Sequence, residues 1–234
     1  MCPWRRLLGD LAGNRCNKGD EGQWLTVSLL AMRPAFQMIR SFHLADLFTL
    51  ANAFCGMGAV FAAMSAMEAG SARGLVAACF FIPLALFFDI LDGNIARWRQ
   101  ANSAMGRELD SLADIISFGV APAALAYAAG MRGLWDCFVL TFFVACGVSR
   151  LARFNVTAEE ISEGTGKVKY FEGTPIPTSI ALVGVLALAA YSDRVNEALY
   201  FGSWNIGPGV LHPLVMLFFV SGSLMISTIR IPKP

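Results

Sequence analysis

Two runs of carboxylates in this sequence have the types and spacing for chemistry. Asp89 and Asp92 stand three apart and are followed by Gly93, Ala96 and Arg97; eight residues later come Gly106, Asp110 and Asp114 at steps of four. On a helix the first five positions follow i, i+3, i+4, i+7, i+8 and share one face, and the second three form another single face. The short polar link over residues 98–105 makes the two helices antiparallel neighbours. Four carboxylates then converge between them. They cannot all be ionised there without a counter-charge. Oxygen-only ligation suits hard divalent cations, Mg2+, Mn2+ or Ca2+, and argues against zinc. Such cations suit a phosphate substrate, with room for two ions bridged by the carboxylates. Gly93, Ala96 and Gly106 remove bulk from the same faces, so a backbone or a ligand can approach closely.

The plainer alternative is four solvated carboxylates on a surface loop. It accounts for Glu108, but it predicts no facial register for Asp89 and Asp92 at the end of a long apolar run. Carboxylates in or beside a membrane are expensive and are usually kept for function.

The elements that must position these residues are membrane helices. The chain of 234 residues is 56% hydrophobic and 15% charged, with a mean hydropathy of +0.57. A soluble domain has about 45–50% apolar and about 25% charged residues. A net charge of +1 gives no basic field for nucleic acid. The six cysteines show no CxxC and no His-paired spacing, and four lie in apolar stretches where Cys packs as a small hydrophobe. Apolar stretches near the length of a membrane span run over residues 45–67, 74–95, 108–130, 133–153, 176–192 and 208–229. The fold class is therefore all-α, a polytopic membrane protein of six transmembrane helices.

With both ends on one side, fifteen of the 18 Lys and Arg fall there, and only Arg73, Arg132 and Arg194 fall opposite. That bias places both termini and the acidic cluster in the cytoplasm, with the protein in the cell (inner) membrane. Residues 1–22 read as a polar tail without a cleavable signal pattern. Residues 23–43 read as an amphipathic helix lying on the cytoplasmic leaflet, and 44–234 as the six-helix domain. Trp24, Trp98, Trp135 and Trp204 fall near the expected interfaces. His43 and His212 lie away from the acidic cluster and are not read as catalytic.

The pattern Asp-x2-Asp-Gly-x2-Ala-Arg-x8-Gly-x3-Asp-x3-Asp resembles the signature of the CDP-alcohol phosphotransferases, with every defining position filled. The resemblance implies transfer of a phosphatidyl or similar group from a CDP-linked donor to an alcohol, with CMP released. It implies that Asp89, Asp92, Asp110 and Asp114 hold metal, Mg2+ or Mn2+ and two ions, and that Asp114 is also the general base on the acceptor hydroxyl. By the same resemblance Gly93, Ala96 and Gly106 make room for the nucleotide, and Arg97 sits near the diphosphate or the carboxylates. A homodimer is likewise implied.

Three further stretches bear on the acceptor. Ser149-Arg150-Leu-Ala-Arg153-Phe154-Asn155 and Phe171-Glu-Gly173-Thr-Pro175-Ile-Pro177 resemble segments of the phosphatidylserine synthase branch of that family. The run Leu47-Phe48-Thr49-Leu50-x-Asn52-x2-Cys55-Gly56 is similar too, which puts Asn52 among the nucleotide or diphosphate positions; Asp46 departs from the branch, which commonly has Asn there. The resemblance implies CDP-diacylglycerol as donor and L-serine as acceptor, among membrane lipids. Physically, serine is a zwitterion whose carboxylate wants a cation. Arg150 or Arg153 suits that carboxylate or a lipid phosphate, with Asn155 completing the pocket. The competing account of the two arginines is as flanking charges that snorkel to headgroups. Glycerol phosphate, inositol phosphate or choline as acceptor, an ether-lipid donor, and a cation transporter using the same carboxylates stay open.

Overall fold

The computed structural model describes residues 44–99, 104–162, 170–172, 174–227 and 230–232. The tail and amphipathic helix expected over residues 1–43 lie outside the described residues.

Helix α1 (Leu44–Glu68) is followed by α2 (Ala72–Cys79), whose first turn is closed by Ser71 accepting from the Gly74 N–H at 3.1 Å. Helix α3 (Phe81–Arg99) follows almost in line. The break between α2 and α3 falls where Pro83 has no N–H to return to the preceding turn. Helix α4 (Ala104–Asp114) runs through a π-helical segment, Ile115–Val120, into α5 (Ala121–Ala129). The wider turn precedes Pro122, which likewise lacks a donor. Gly130, at φ +127°, ends α5 in a backbone conformation that a side chain would strain. Helix α6 (Leu134–Ser162), α7 (Ser179–Tyr191) and α8 (Met216–Ile226) complete the helices. Two short antiparallel pairs join β1 (Tyr170–Glu172) to β4 (Arg230–Pro232), and β2 (Trp204–Ile206) to β3 (Gly209–Leu211).

Four stretches are long and apolar enough to cross a membrane: Asp46–Glu68, Ala72–Ile95, Met105–Ala129 and Leu134–Val156. They coincide with the first four stretches expected from sequence. The fifth and sixth are shorter apolar helices, Ile176–Tyr191 and Pro213–Ile226. The sixth does not begin at residue 208. Gly207, at φ +58°, turns the chain back, and β2 pairs with β3 before Pro213 starts the helical turn.

Small residues set the packing. Cys55, Ala59, Ala63 and Ala66 form the buried face of α1, which packs against α2, α3, α4, the π segment and α5. In a bilayer lipid is as apolar as the protein, so close backbone approach and dispersion hold helices together. Gly222 on α8 comes within 3.3 Å of the Phe143 Cα as a built Cβ, and Phe143 meets Phe218 edge-on at 5.3 Å, fastening α8 to α6. Exposed Phe54, Phe61, Phe80 and Phe138 face outward, as side chains in contact with lipid do.

Candidate active site

The inner face of α3 is apolar at Ile82 and Ala85, both fully buried, and becomes acidic at Asp89 and Asp92, one and two turns later. The four positions follow i, i+3, i+7, i+10, so the face that packs also delivers the carboxylates. Helix α4 brings Asp110 opposite. One ligand oxygen each of Asp89, Asp92 and Asp110 lies within 4.8 Å of the others. Asp92 is buried, and Asp89 and Asp110 are half-buried. Asp92 Oδ2 and Asp110 Oδ1 are shielded and have no hydrogen-bond partner. Carboxylate oxygens left that way are costly unless a cation meets them. The donor set is hard, anionic and convergent, so it fits a divalent metal.

Asp114, one turn beyond Asp110, is buried and outside that trio, though it interacts electrostatically with all three carboxylates. Its immediate partner comes from α1: Asn52 Nδ2 donates to Asp114 Oδ1 at 3.3 Å. Asp46, Thr49 and Asn52 step by three along α1 and are 6%, 4% and 0% exposed. Thr49 hydrogen-bonds the Asp92 carboxylate, and Asp46 interacts with Asp92 electrostatically. Helix α1 is therefore a polar brace behind the carboxylates.

The brace is itself pinned. Ser117 Oγ, in the π segment, donates to the Asn52 carbonyl at 2.9 Å. Gly56, one turn on, allows the approach: a Cβ there would stand 2.7 Å from the Ser117 Cα. Ser117 stands three residues after Asp114, within the π segment, and both side chains address Asn52.

Helix α6 supplies the basic side. Arg150 is half-buried and interacts electrostatically with Asp114, and its Nε is buried without a hydrogen-bond partner. Arg153 is exposed. Asn155 is engaged within the chain: Ser111 Oγ donates to its Oδ1 at 3.2 Å, and its Nδ2 donates to Glu108 at 3.4 Å. Its amide braces α6 against α4. Glu108 is an exposed carboxylate that this bond occupies.

Of the residues singled out from sequence, Asp89, Asp92, Asp110, Asp114, Asn52 and Arg150 come together. Gly93 and Gly106 lie half-buried on α3 and α4, and the side chains of Ala96 and Arg97 lie outside the described residues. Thr49, Ser117 and the burial of Asp46 were missed. The three-residue steps of polar side chains along an otherwise apolar α1 were the available signal; for Ser117 there was none.

A sequence model of the CDP-alcohol phosphatidyltransferase family matches residues 42–222. The chain is 44% identical over 203 residues to a CDP-diacylglycerol–serine O-phosphatidyltransferase of Saccharomyces cerevisiae, covering 85% of this chain and 74% of that one. It is 37% identical over 190 residues to the Helicobacter pylori protein of the same name, covering 80% and 71%. It is also 37% identical over 158 residues to an archaetidylserine synthase of Methanothermobacter thermautotrophicus, covering 66% and 62%.

Proposed function

The chain belongs to the CDP-alcohol phosphatidyltransferase family, and from that premise we propose that it moves the phosphatidyl group of CDP-diacylglycerol onto the hydroxyl of L-serine, with CMP leaving. The observation that carries this reading is the arrangement around Asp114: three convergent carboxylates on one side, the Asn52 amide behind it, and Arg150 within its field. The printed names of the yeast and Helicobacter relatives support serine as the acceptor.

Asp89, Asp92 and Asp110 are the residues that would hold the metal, Mg2+ or Mn2+ with room for two ions, and Asp114 is the fourth carboxylate of the set. When bound, the metal offsets the diphosphate charge and makes the phosphorus more electrophilic. Asp114 takes the proton of the serine hydroxyl as its oxygen bonds to phosphorus and the bond to CMP breaks. A carboxylate performs that step because it stands beside the bound hydroxyl, which is a very weak acid in water. Asn52 fixes the carboxylate by bonding Oδ1, which leaves Oδ2 to receive the proton. Arg150 binds an anion, the serine carboxylate or the lipid phosphate, through a planar fork suited to either. By the family resemblance Gly93, Ala96 and Gly106 would leave space for the nucleotide, and Arg97 would sit near the diphosphate or the carboxylates.

In this reading the two shorter apolar helices complete six spans, residues 23–43 lie on the membrane surface, and the charge bias puts the acidic end in the cytoplasm. The test is CMP release by purified protein with CDP-diacylglycerol and Mn2+ or Mg2+, with and without L-serine. Serine-dependent release is the expected result. Release only with another alcohol overturns the acceptor, and metal flux without CMP chemistry overturns the enzyme. The archaeal match supports trying an ether-lipid CDP donor in the same assay.

A further inference from the structure

Two buried polar atoms, one bonded through its own amide to Asp114 and one in its electrostatic reach, have complementary needs. Asn52 is fully buried; its Nδ2 is spent on Asp114 Oδ1, and its Oδ1 has no hydrogen-bond partner. An ionised carboxylate accepts only, so the amide must turn its NH2 to Asp114 and its oxygen away. On the α6 side, Arg150 Nε is a buried donor without a partner, in the electrostatic reach of the same Asp114. Native interiors satisfy nearly all such atoms. An unmet acceptor and an unmet cationic donor beside one carboxylate describe the ligand that fills both.

That ligand must carry an N–H or O–H donor, an anion, and a hydroxyl between them for Asp114. We propose that Asn52 and Arg150 together form a zwitterion clamp for a free α-amino acid: Asn52 Oδ1 accepts from its ammonium, and Arg150 donates to its carboxylate. The proposal rests on the reading of Asp114 as the group facing the acceptor hydroxyl, and it makes Asn52 a specificity-determining residue of that site. Diphosphate oxygens only accept, so they offer Asn52 Oδ1 nothing. Choline has a quaternary nitrogen without N–H and no carboxylate for Arg150. Serine places ammonium and carboxylate on the carbon next to its hydroxymethyl group, so one small molecule meets Asn52, Arg150 and Asp114 at once.

The experiment compares three acceptors in the CMP-release assay: L-serine, 3-hydroxypropanoate, which lacks the ammonium, and ethanolamine, which lacks the carboxylate. Each serves as substrate or as competitor of serine. Losing one charge-assisted hydrogen bond is worth on the order of ten- to a hundredfold. Asn52→Ala is expected to lose that much preference for serine over 3-hydroxypropanoate while keeping its preference over ethanolamine. Arg150→Ala is expected to do the reverse, and the KM for CDP-diacylglycerol stays at the wild-type value in both. Asn52→Asp keeps an oxygen for the ammonium and loses the donor to Asp114, so it should retain the preference while kcat falls; this variant also decides the matter if the alanine protein does not fold. An unchanged acceptor ratio with a raised KM for CDP-diacylglycerol overturns the clamp and gives Asn52 Oδ1 to the cytidine. Absence of serine-dependent release in the wild-type protein overturns the acceptor reading itself, and is seen before any variant is compared.

Discussion

The Asp136 carboxylate meets the His212 ring at 2.6 Å between Oδ2 and Nδ1, although the two residues are 76 apart in sequence. Asp136 is fully buried at the start of α6 and meets three partners: the Gly133 N–H at 2.9 Å, the His212 N–H at 2.8 Å and the ring itself. The first closes the N-terminus of α6 with a carboxylate, which also suits the helix dipole. The other two tie down the end of β3. Trp135 Nε1 adds a bond to the Ile206 carbonyl at 2.9 Å, so the hairpin is held at both strands. Gly133 makes room, since a Cβ there would stand 2.7 Å from the Val210 carbonyl carbon. Asn155, which braces the acidic end, lies about 29 Å along the same helix at 1.5 Å per residue. The two ends of α6 thus serve separate places in the fold, the β2–β3 hairpin at one and the acidic cluster at the other.

Replacing Asp136 should therefore weaken the fold and spare the chemistry. Asp136→Ala leaves the half-buried His212 and Gly133 donors unmet, at up to about 1–3 kcal/mol for each such group. The expected outcome is a clearly lower thermal midpoint in detergent, with metal-dependent CMP release intact below it. Loss of metal binding in folded Asp136→Ala would show that the two ends are coupled.

In the proposed reading Thr49 acts on the candidate metal site through Asp92, which it hydrogen-bonds from α1. Partners of this kind orient a ligand and are worth about 10–100-fold in metal affinity or activity. Thr49→Val keeps the shape and removes the hydroxyl, so Mn2+ titration of CMP release should shift to higher metal by about that factor. Thr49→Ser should restore most of it. Equal metal dependence in wild type and Thr49→Val would remove Thr49 from this role.

The acidic cluster was legible in the sequence because its members are near neighbours along two helices: helical periodicity puts each set on one face, and the short link between the helices makes them neighbours. What α1 contributes was not legible as contact. Asn52 and Asp114 are 62 residues apart, and only packing decides that the amide reaches that carboxylate. The π segment reads in sequence as one more apolar run, Ile-Ile-Ser-Phe-Gly-Val. Asn155 follows two arginines and so looked like part of an anion pocket, yet its amide is turned to Ser111 and Glu108. The sixth apolar stretch was read too long because hydropathy continues through Val210 and Leu211, while Gly207 and Pro213 interrupt the helix.

Gly56 reports on how closely α1 must approach the π segment. Gly56→Ala puts a methyl carbon 2.7 Å from the Ser117 Cα, a backbone atom that cannot rotate away. Overpacking of that kind costs about 1–3 kcal/mol. Separation of the helices also lengthens the Ser117 bond to the Asn52 carbonyl and displaces Asn52 from Asp114. Both the thermal midpoint and kcat should fall. Ser117→Gly in the same background removes the Oγ but leaves the Cα clash, so it should not rescue either.

Asp114 separates binding from chemistry more cleanly than any other carboxylate here. It lies outside the trio whose oxygens stand within 4.8 Å, and its Oδ1 is already held by Asn52. Asp114→Asn preserves the shape and removes the group that, in the proposed mechanism, takes the hydroxyl proton. General-base loss lowers rates by about 10²–10⁴, so kcat should fall by that order while the Mn2+ dependence and the KM for CDP-diacylglycerol change far less. Asp92→Asn should do the opposite, since Asp92 Oδ2 is one of the unmet oxygens that would face the metal: the Mn2+ needed for half-maximal CMP release rises steeply. Full activity in Asp114→Asn would sink the base assignment and leave the metal-holding carboxylates as they stand. Parallel loss of metal response in both variants would instead make Asp114 a ligand first, with the proton taken by another group.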